Sequence, residues 1–289
     1  MYSFTKAFFL SCLLGVIVIS SSFSADRPRL IIRGDDMGMS QGSLEAVERS
    51  FNQGILTCTS ILVPGPWFEA AAELCKKNPG WCTGVHLCLI AEWRGMRWHP
   101  VLPWDKVPSI VDEDGFLYTY PDELFSKNPS LKDIDAEFRA QIDLALKKGI
   151  NVQYLDTHYM SPADPPMPGL KELLVKLGKD YNLPVSGLMD EQGGIGLGDV
   201  PIAERLSTAM NNLENLGPGL WLWVCHPGID SPEHDALIHS AREHIKLEGV
   251  GPRRAEITWL LTSLELKSMV LKKDIELTNY REIWRERNN

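Results

Sequence analysis

The sequence predicts an α/β fold in which a parallel sheet is covered by helices and forms one domain. Three observations carry that reading. From Arg29 onward, apolar runs of strand length alternate with amphipathic runs of helical period, the βαβα order of a parallel sheet. No linker or repeat interrupts this order, and a 289-residue chain that is 44% hydrophobic and 23% charged can bury one substantial core. Carboxylates and imidazoles recur where the strand-like runs end, and the carboxyl ends of strands are where such sheets and barrels gather their chemistry.

Residues 30–33 read as a strand, and 43–53 as a helix with Leu44, Val47 and Phe51 on one face and Gly54 as its stop. Residues 56–63 read as strand, 67–77 as helix and 84–89 as strand. A segment rich in Trp and Pro, 90–129, then breaks the rhythm. Beyond it, 131–148 is amphipathic through Ile134, Phe138, Ile142 and Leu146 until Gly149 ends it. A strand at 152–156, a helix at 169–179 and a short strand at 183–186 follow. A Gly-rich loop through Gly198 leads to a helix at 202–213 and a strand at 220–225. Helical stretches at 231–247 and 252–264 and a closing segment at 275–280 complete the domain.

The first 24 residues read as a secretory signal, leaving 25–289 as the folded part of an exported, periplasmic or extracellular protein. A short leader with one Lys precedes an apolar run at 7–19, too short for a comfortable membrane span, and small residues follow. Cleavage after Ser24 puts Ser22 and Ser24 at the small-residue positions. An uncleaved anchor is the alternative, and is the one route to membrane contact. The net charge of −9 argues against nucleic acid or an anionic membrane surface as a partner.

Of the six cysteines, Cys12 falls in the signal. Export permits disulfides, and Cys75 and Cys82 flank a turn at 78–80 that brings them within reach of each other. Cys58, Cys88 and Cys225 lie in apolar strand-like runs and read as small buried hydrophobes. No cysteine spacing suggests a zinc ribbon.

Asp35 and Asp36 end the first strand. Adjacent carboxylates repel, so such a pair calls for a cation or a shared proton, unless it is a solvated turn carrying a helix cap. His86 alternates with Val85, Leu87 and Leu89, so its ring points away from their apolar row. Asp156-Thr157-His158 ends another strand, and Cys225-His226-Pro227-Gly228 ends a late one. Four strands thus deliver acids or imidazoles toward one end of the sheet. His99, His234, His239 and His244 lack this context, and the five-residue spacing of the last three spreads them around a helix as solvated residues.

These residues sit in runs that resemble a known family. The runs are Leu30-Ile31-Ile32-Arg33-Gly34-Asp35-Asp36-Met37-Gly38-Met39-Ser40, Gly54-Ile55-Leu56-Thr57-Cys58-Thr59-Ser60 and Val63-Pro64-Gly65-Pro66-Trp67-Phe68. Gly84-Val85-His86-Leu87-Cys88-Leu89, Leu155-Asp156-Thr157-His158, Cys225-His226-Pro227-Gly228 and Arg253-Arg254-Ala255-Glu256 continue in order. Together they resemble the YdjC-like carbohydrate deacetylases over essentially the whole mature chain. The resemblance implies a distorted β/α barrel of TIM-like kind and one divalent metal ion held by Asp36, His86 and His158. It further implies Asp35 as catalytic base and His226 as acid, with Arg253 pairing with Asp35, unless Arg253 is a surface residue on a helix. The substrate it implies is an N-acetylated amino-sugar oligosaccharide, chitooligosaccharide-like, which would release acetate. Two imidazoles in the ligand set favour zinc, with magnesium or another divalent ion as alternatives.

This chain departs from the family pattern after the second metal histidine, where Tyr159, Met160 and Ser161 stand in place of further histidines. Gly34 and Met37 replace the usual Ala and Phe. Trp93, Trp98 and Trp104, with Trp67 and Trp81, either present sugar-binding faces or pack the long loop onto the barrel. Trp221 and Trp223 share one face of a strand and read as structural. Other readings are hydrolysis of another amide or ester, an inactive carbohydrate-binding relative, and a glycoside hydrolase. The last would want its carboxylates across a sugar ring rather than adjacent in sequence.

Overall fold

Leu30, Ile31 and Ile32 are fully buried in succession, so both faces of their strand are covered, as a central parallel strand requires. The computed structural model describes residues 27–239 and 248–288, and in it this strand is β1 (Pro28–Met37). The signal assigned to 1–24, Cys12 and His244 lie outside the described residues.

Helices and strands alternate as α1 (Gln41–Gln53), β2 (Cys58–Ile61), α2 (Phe68–Lys77), β3 (Thr83–Leu87) and β4 (Trp93–Arg94). Then come α3 (Pro121–Ser126), α4 (Leu131–Lys147), β5 (Val152–Thr157), α5 (Leu170–Tyr181), α6 (Arg205–Glu214) and β6 (Gly219–Cys225). The chain continues through α7 (Pro232–Asp235), β7 (Ile238–His239), α8 (Val250–Thr262), α9 (Leu264–Lys272), β8 (Glu276–Thr278) and α10 (Tyr280–Asn288). Strand order is β5-β3-β2-β1-β6, with β8 also on β1, and every pairing in this sheet is parallel.

The sheet curls into a distorted β/α barrel. The expected strand at 183–186 is reduced to one bridge, Val185 to Leu155 on β5, because the chain leaves that edge at once. A few residues later Gln192 bridges to Trp221 on β6, so an irregular segment spans the gap between the two outer strands.

Strand alternation sorts the side chains into two layers. Leu30, Ile32, Ile61, Val85, Leu87, Leu155 and Trp223 face outward into the large core beneath the helices. Inward, Ile31, Cys58, Cys82 and Tyr154 pack with Met189, Tyr280 and Ile283 in a small interior core. Gly84 is required at this level, since a Cβ there would meet the Tyr154 ring at 2.4 Å. Above this apolar floor the inward positions turn polar: Arg33, Ser60, His86 and Asp156 are all buried.

Several expectations are corrected. Residues 231–239 do not continue as a helix: α7 lasts one turn from its Ser231 cap, and β7 pairs antiparallel with β4. His234 and His239 are therefore buried rather than solvated, with His234 bonded to Ser40 Oγ at 2.7 Å and to the Ile229 carbonyl at 2.6 Å. Cys75 and Cys82 are both free thiols, as are all five cysteines among the described residues. They belong to different core layers, which is why the turn between them does not join them. Helices α9 and α10 went unread because exposed Leu264 and Leu271 blur the period of one and polar residues dominate the other.

Candidate active site

Two successive strand residues normally point to opposite faces, yet Asp35 and Asp36 both face one cavity. The β1–β2 register shifts between Gly34 and Met37, and Asp36 takes φ 66°, a left-handed conformation that Asp tolerates better than most residues. This irregularity turns Asp36 to the side that Asp35 already faces. α1 begins directly beyond it, capped by Ser40, whose Oγ accepts from the Ser43 amide.

The ends of β3 and β5 bring the imidazoles. His86 Nδ1 lies 2.8 Å from Asp156 Oδ2, which leaves Nε2 pointing inward, 3.5 Å from Asp36 Oδ1. His158 Nε2 lies 3.0 Å from Glu92 Oε2, which leaves Nδ1 inward, 3.4 Å from Asp36 Oδ1 and 3.1 Å from His86 Nε2. Each ring therefore has its outer nitrogen on a buried carboxylate, the arrangement that fixes tautomer and orientation in metal-binding histidines. Asp36 Oδ1, which the inner nitrogens face, has no hydrogen-bond partner among the described residues.

A divalent cation fits this donor set. Asp36, His86 and His158 each offer one ligand atom, all within 4.8 Å of one another. Burial opposes charging of both rings, but the surrounding carboxylates prevail: Asp156 and Asp35 raise His86 well above the usual imidazole range, and Glu92 and Asp36 raise His158 to about 9. The cluster thus carries surplus negative charge, held by protons on the rings when no metal is bound.

Two arginines partner the acids. Arg33 grips Asp35 with two bonds of 2.7 Å, and Arg254 Nη2 reaches Asp36 Oδ2 at 2.6 Å. Burial pushes both carboxyls up, yet Asp35 is held below the usual range by Arg33 and His86, and Asp36 well below it by Arg254 and the histidines. Arg253 does not pair with Asp35: its guanidinium is taken by Glu248 and by the Gly198 and Val200 carbonyls. One helical step, about 100°, separates it from Arg254, the residue on α8 that does reach the acid pair.

His226 follows β6 and opens into the cavity, within reach of the fields of Asp36, Arg254 and Asp35. The residue is exposed where it opens into the cavity; partial desolvation by the surrounding protein lowers its basicity, Arg254 acts in the same direction and Asp36 in the opposite one. The cavity measures about 480 Å³, room for part of an oligosaccharide rather than the whole. Tyr159 lines it with a left-handed φ of 62°, its hydroxyl bonded to His239 Nε2. Trp93 and Trp98 are buried, with their indoles on Met39 Sδ and the Ile90 carbonyl; Trp98 packs the loop, whereas Trp93 also lines the cavity. Exposed Trp104 and Trp67 lie away from the cavity lining.

All five metal and acid–base residues read from the sequence line this one cavity. Arg33, Glu92, Arg254 and the orienting role of Asp156 were not read. Arg33 could have been found from its two-residue spacing to Asp35, which puts both on one strand face. Glu92 had no local signal, since it lies in the irregular 90–129 segment.

Fold and site define a class: a parallel α/β barrel-like protein whose strand ends converge on a buried carboxylate–imidazole centre. Within it, the chain belongs to the family of YdjC-like proteins, whose profile matches residues 29–272. It is 26% identical over 263 residues to a carbohydrate deacetylase of Listeria monocytogenes serotype 4b (strain CLIP80459), covering 88% of this chain and 100% of that protein. A carbohydrate deacetylase of Oceanobacillus iheyensis is 32% identical over 158 residues, a match spanning 54% of this chain and 64% of the relative. Among solved structures, an Enterococcus faecalis V583 protein provisionally assigned to cellobiose-phosphate cleavage superposes with a TM-score of 0.71. Its identity is 23%, covering 89% of this chain and 99% of that one, and the likeness is one of fold.

Proposed function

We propose that this protein is a metal-dependent carbohydrate deacetylase that removes N-acetyl groups from amino-sugar oligosaccharides of chitooligosaccharide type. The observation that carries the reading is the meeting of His86 Nε2 and His158 Nδ1 at Asp36 Oδ1, which has no hydrogen bond among the described residues, with ionised Asp35 alongside. Family membership and relatives named as carbohydrate deacetylases support the reaction class. Zinc is the favoured ion because the donors are two imidazoles and one carboxylate.

Asp36, His86 and His158 would hold the ion, which when bound supplies Lewis acidity toward the acetamide carbonyl and an acidified water. Asp35 would accept the proton that the attacking water loses as its oxygen bonds to the carbonyl carbon. Gripped by Arg33, Asp35 stays ionised and only weakly basic. His226, in its protonated form, gives a proton to the sugar nitrogen as the C–N bond breaks, so that acetate and a free amine leave. Its lowered basicity makes the imidazolium the stronger acid for that step.

Acetate release from N-acetylated oligosaccharides, measured with and without chelator, tests the proposal. Metal-dependent release is expected, whereas glycan shortening without acetate would replace this reading with a glycosidase. The signal-like residues 1–24 support an exported enzyme, and N-terminal sequencing of the mature protein is expected to begin near Ala25; a retained Met1 would argue for an anchored or internal one.

A further inference from the structure

Asp35, His86 and Asp156 form a second grouping whose ligand-type atoms also lie within 4.8 Å of one another, sharing His86 with the first. Both carboxylates are almost fully buried, and two such charges held out of water need a cation between them. Arg33 supplies it. Its Nε and Nη2 reach the two Asp35 oxygens at 2.7 Å each, and Nη2 lies 3.1 Å from Asp156 Oδ2. Nη1 donates to Ser186 Oγ at 2.6 Å, and Ser186 is fixed in turn by the Tyr280 hydroxyl. The arginine precedes Asp35 by two residues on one face of β1, so the strand itself sets its reach.

The two groupings differ in what their aspartates have left to give. Asp36 meets Arg254 through Oδ2 and keeps Oδ1 without a hydrogen bond among the described residues, whereas both oxygens of Asp35 are committed to the Arg33 fork. We propose that Arg33 is a positioning residue that fills the second cation position, confines the centre to one metal ion and holds Asp35 beside that ion as base rather than ligand. This rests on the metal-centred reading above. Asp156 Oδ1 is likewise buried and unpartnered among the described residues, so removing the guanidinium leaves the Asp35 and Asp156 carboxylates with ligand capacity for a second ion beside His86, whose Nε2 belongs to the first.

The test compares the full-length wild type, Arg33→Met and Arg33→Lys, reading bound zinc per chain after equilibrium dialysis together with kcat and KM for acetate release. One ion is expected in the wild type and two in Arg33→Met, with kcat lower by about tenfold or more because Asp35 is no longer aimed. Arg33→Lys is expected to keep one ion. Its ammonium cannot hold two oxygens as a fork does, so kcat falls while KM stays within about twofold. A folded Arg33→Met with one ion overturns the proposal, as does a wild type with none or two, or wild-type kcat in either variant. If Arg33→Met does not fold, the kcat of Arg33→Lys decides alone. Absence of acetate release by the wild type would count against the activity proposed above, and the ion count would still decide the role of Arg33.

Discussion

Replacing Glu92 separates what an outer carboxylate adds to the metal centre from what the ligands supply themselves. Glu92 and His158 are 2% and 3% exposed and meet at 3.0 Å, so their charge-assisted bond is little screened by water. Outer carboxylates of this kind typically contribute about 10- to 100-fold in metal affinity, or about 1.4–2.7 kcal/mol. Glu92→Gln keeps an acceptor of nearly the same shape and loses only the charge, which places it near about tenfold. Glu92→Leu leaves the His158 Nε2–H unbonded in the interior and frees the ring to turn, which places it near about 100-fold. Competition with a chromophoric chelator measures both constants, and circular dichroism checks the fold. A folded Glu92→Leu protein that binds zinc as tightly as the wild type would refute the claim that Glu92 orients His158.

Asp35→Asn is expected to retain zinc within about threefold of the wild-type affinity while losing at least about 100-fold in acetate release, whereas His86→Ala loses the metal; a His86→Ala protein with full metal content would refute the ligand set. Gly84→Ala drives a methyl into the Tyr154 ring at the floor of the barrel, and urea unfolding should show a loss of about 1–3 kcal/mol. Burial raises the Cys75 thiol to about 11 and the Cys82 thiol to about 12. Native protein should therefore give no fast reaction with a thiol reagent at pH 8, and denatured mature protein should give five thiols; three would restore the Cys75–Cys82 bridge. Because these thiols keep their protons longer folded than unfolded, their contribution to stability is complete below about pH 8.5 and is lost as pH rises through 11 to 12.

Much of the fold was legible because parallel strands and their helices announce themselves by period. β1, β3, β5 and β6 fall where apolar runs lie, and their C-terminal ends carry the acids and imidazoles that meet in the cavity. What failed to show were features set by tertiary contacts. The 231–247 stretch has helical composition, but within its described part, 231–239, the burial of His234 against Ser40 and the pairing of β7 with β4 accompany an α7 of one turn. The chemistry at Asp35 and Asp36 was visible as a pair of charges, yet the left-handed Asp36 that lets both face one cavity was not. Nor does sequence spacing show which arginine reaches which acid, since Arg253 and Arg254 differ by one helical step and Arg33 acts through the pleat of its own strand. Glu92 lies 66 residues from His158 and its irregular segment has no period to read.

The central claim is that a single cation belongs among Asp36, His86 and His158, and anomalous scattering from crystals grown with zinc tests it most directly. One peak is predicted, in contact with Asp36 Oδ1, His86 Nε2 and His158 Nδ1, with Asp35 still paired to Arg33. A peak bound by Asp35 and Asp156 in place of Arg33, or no peak at saturating zinc, would contradict the account.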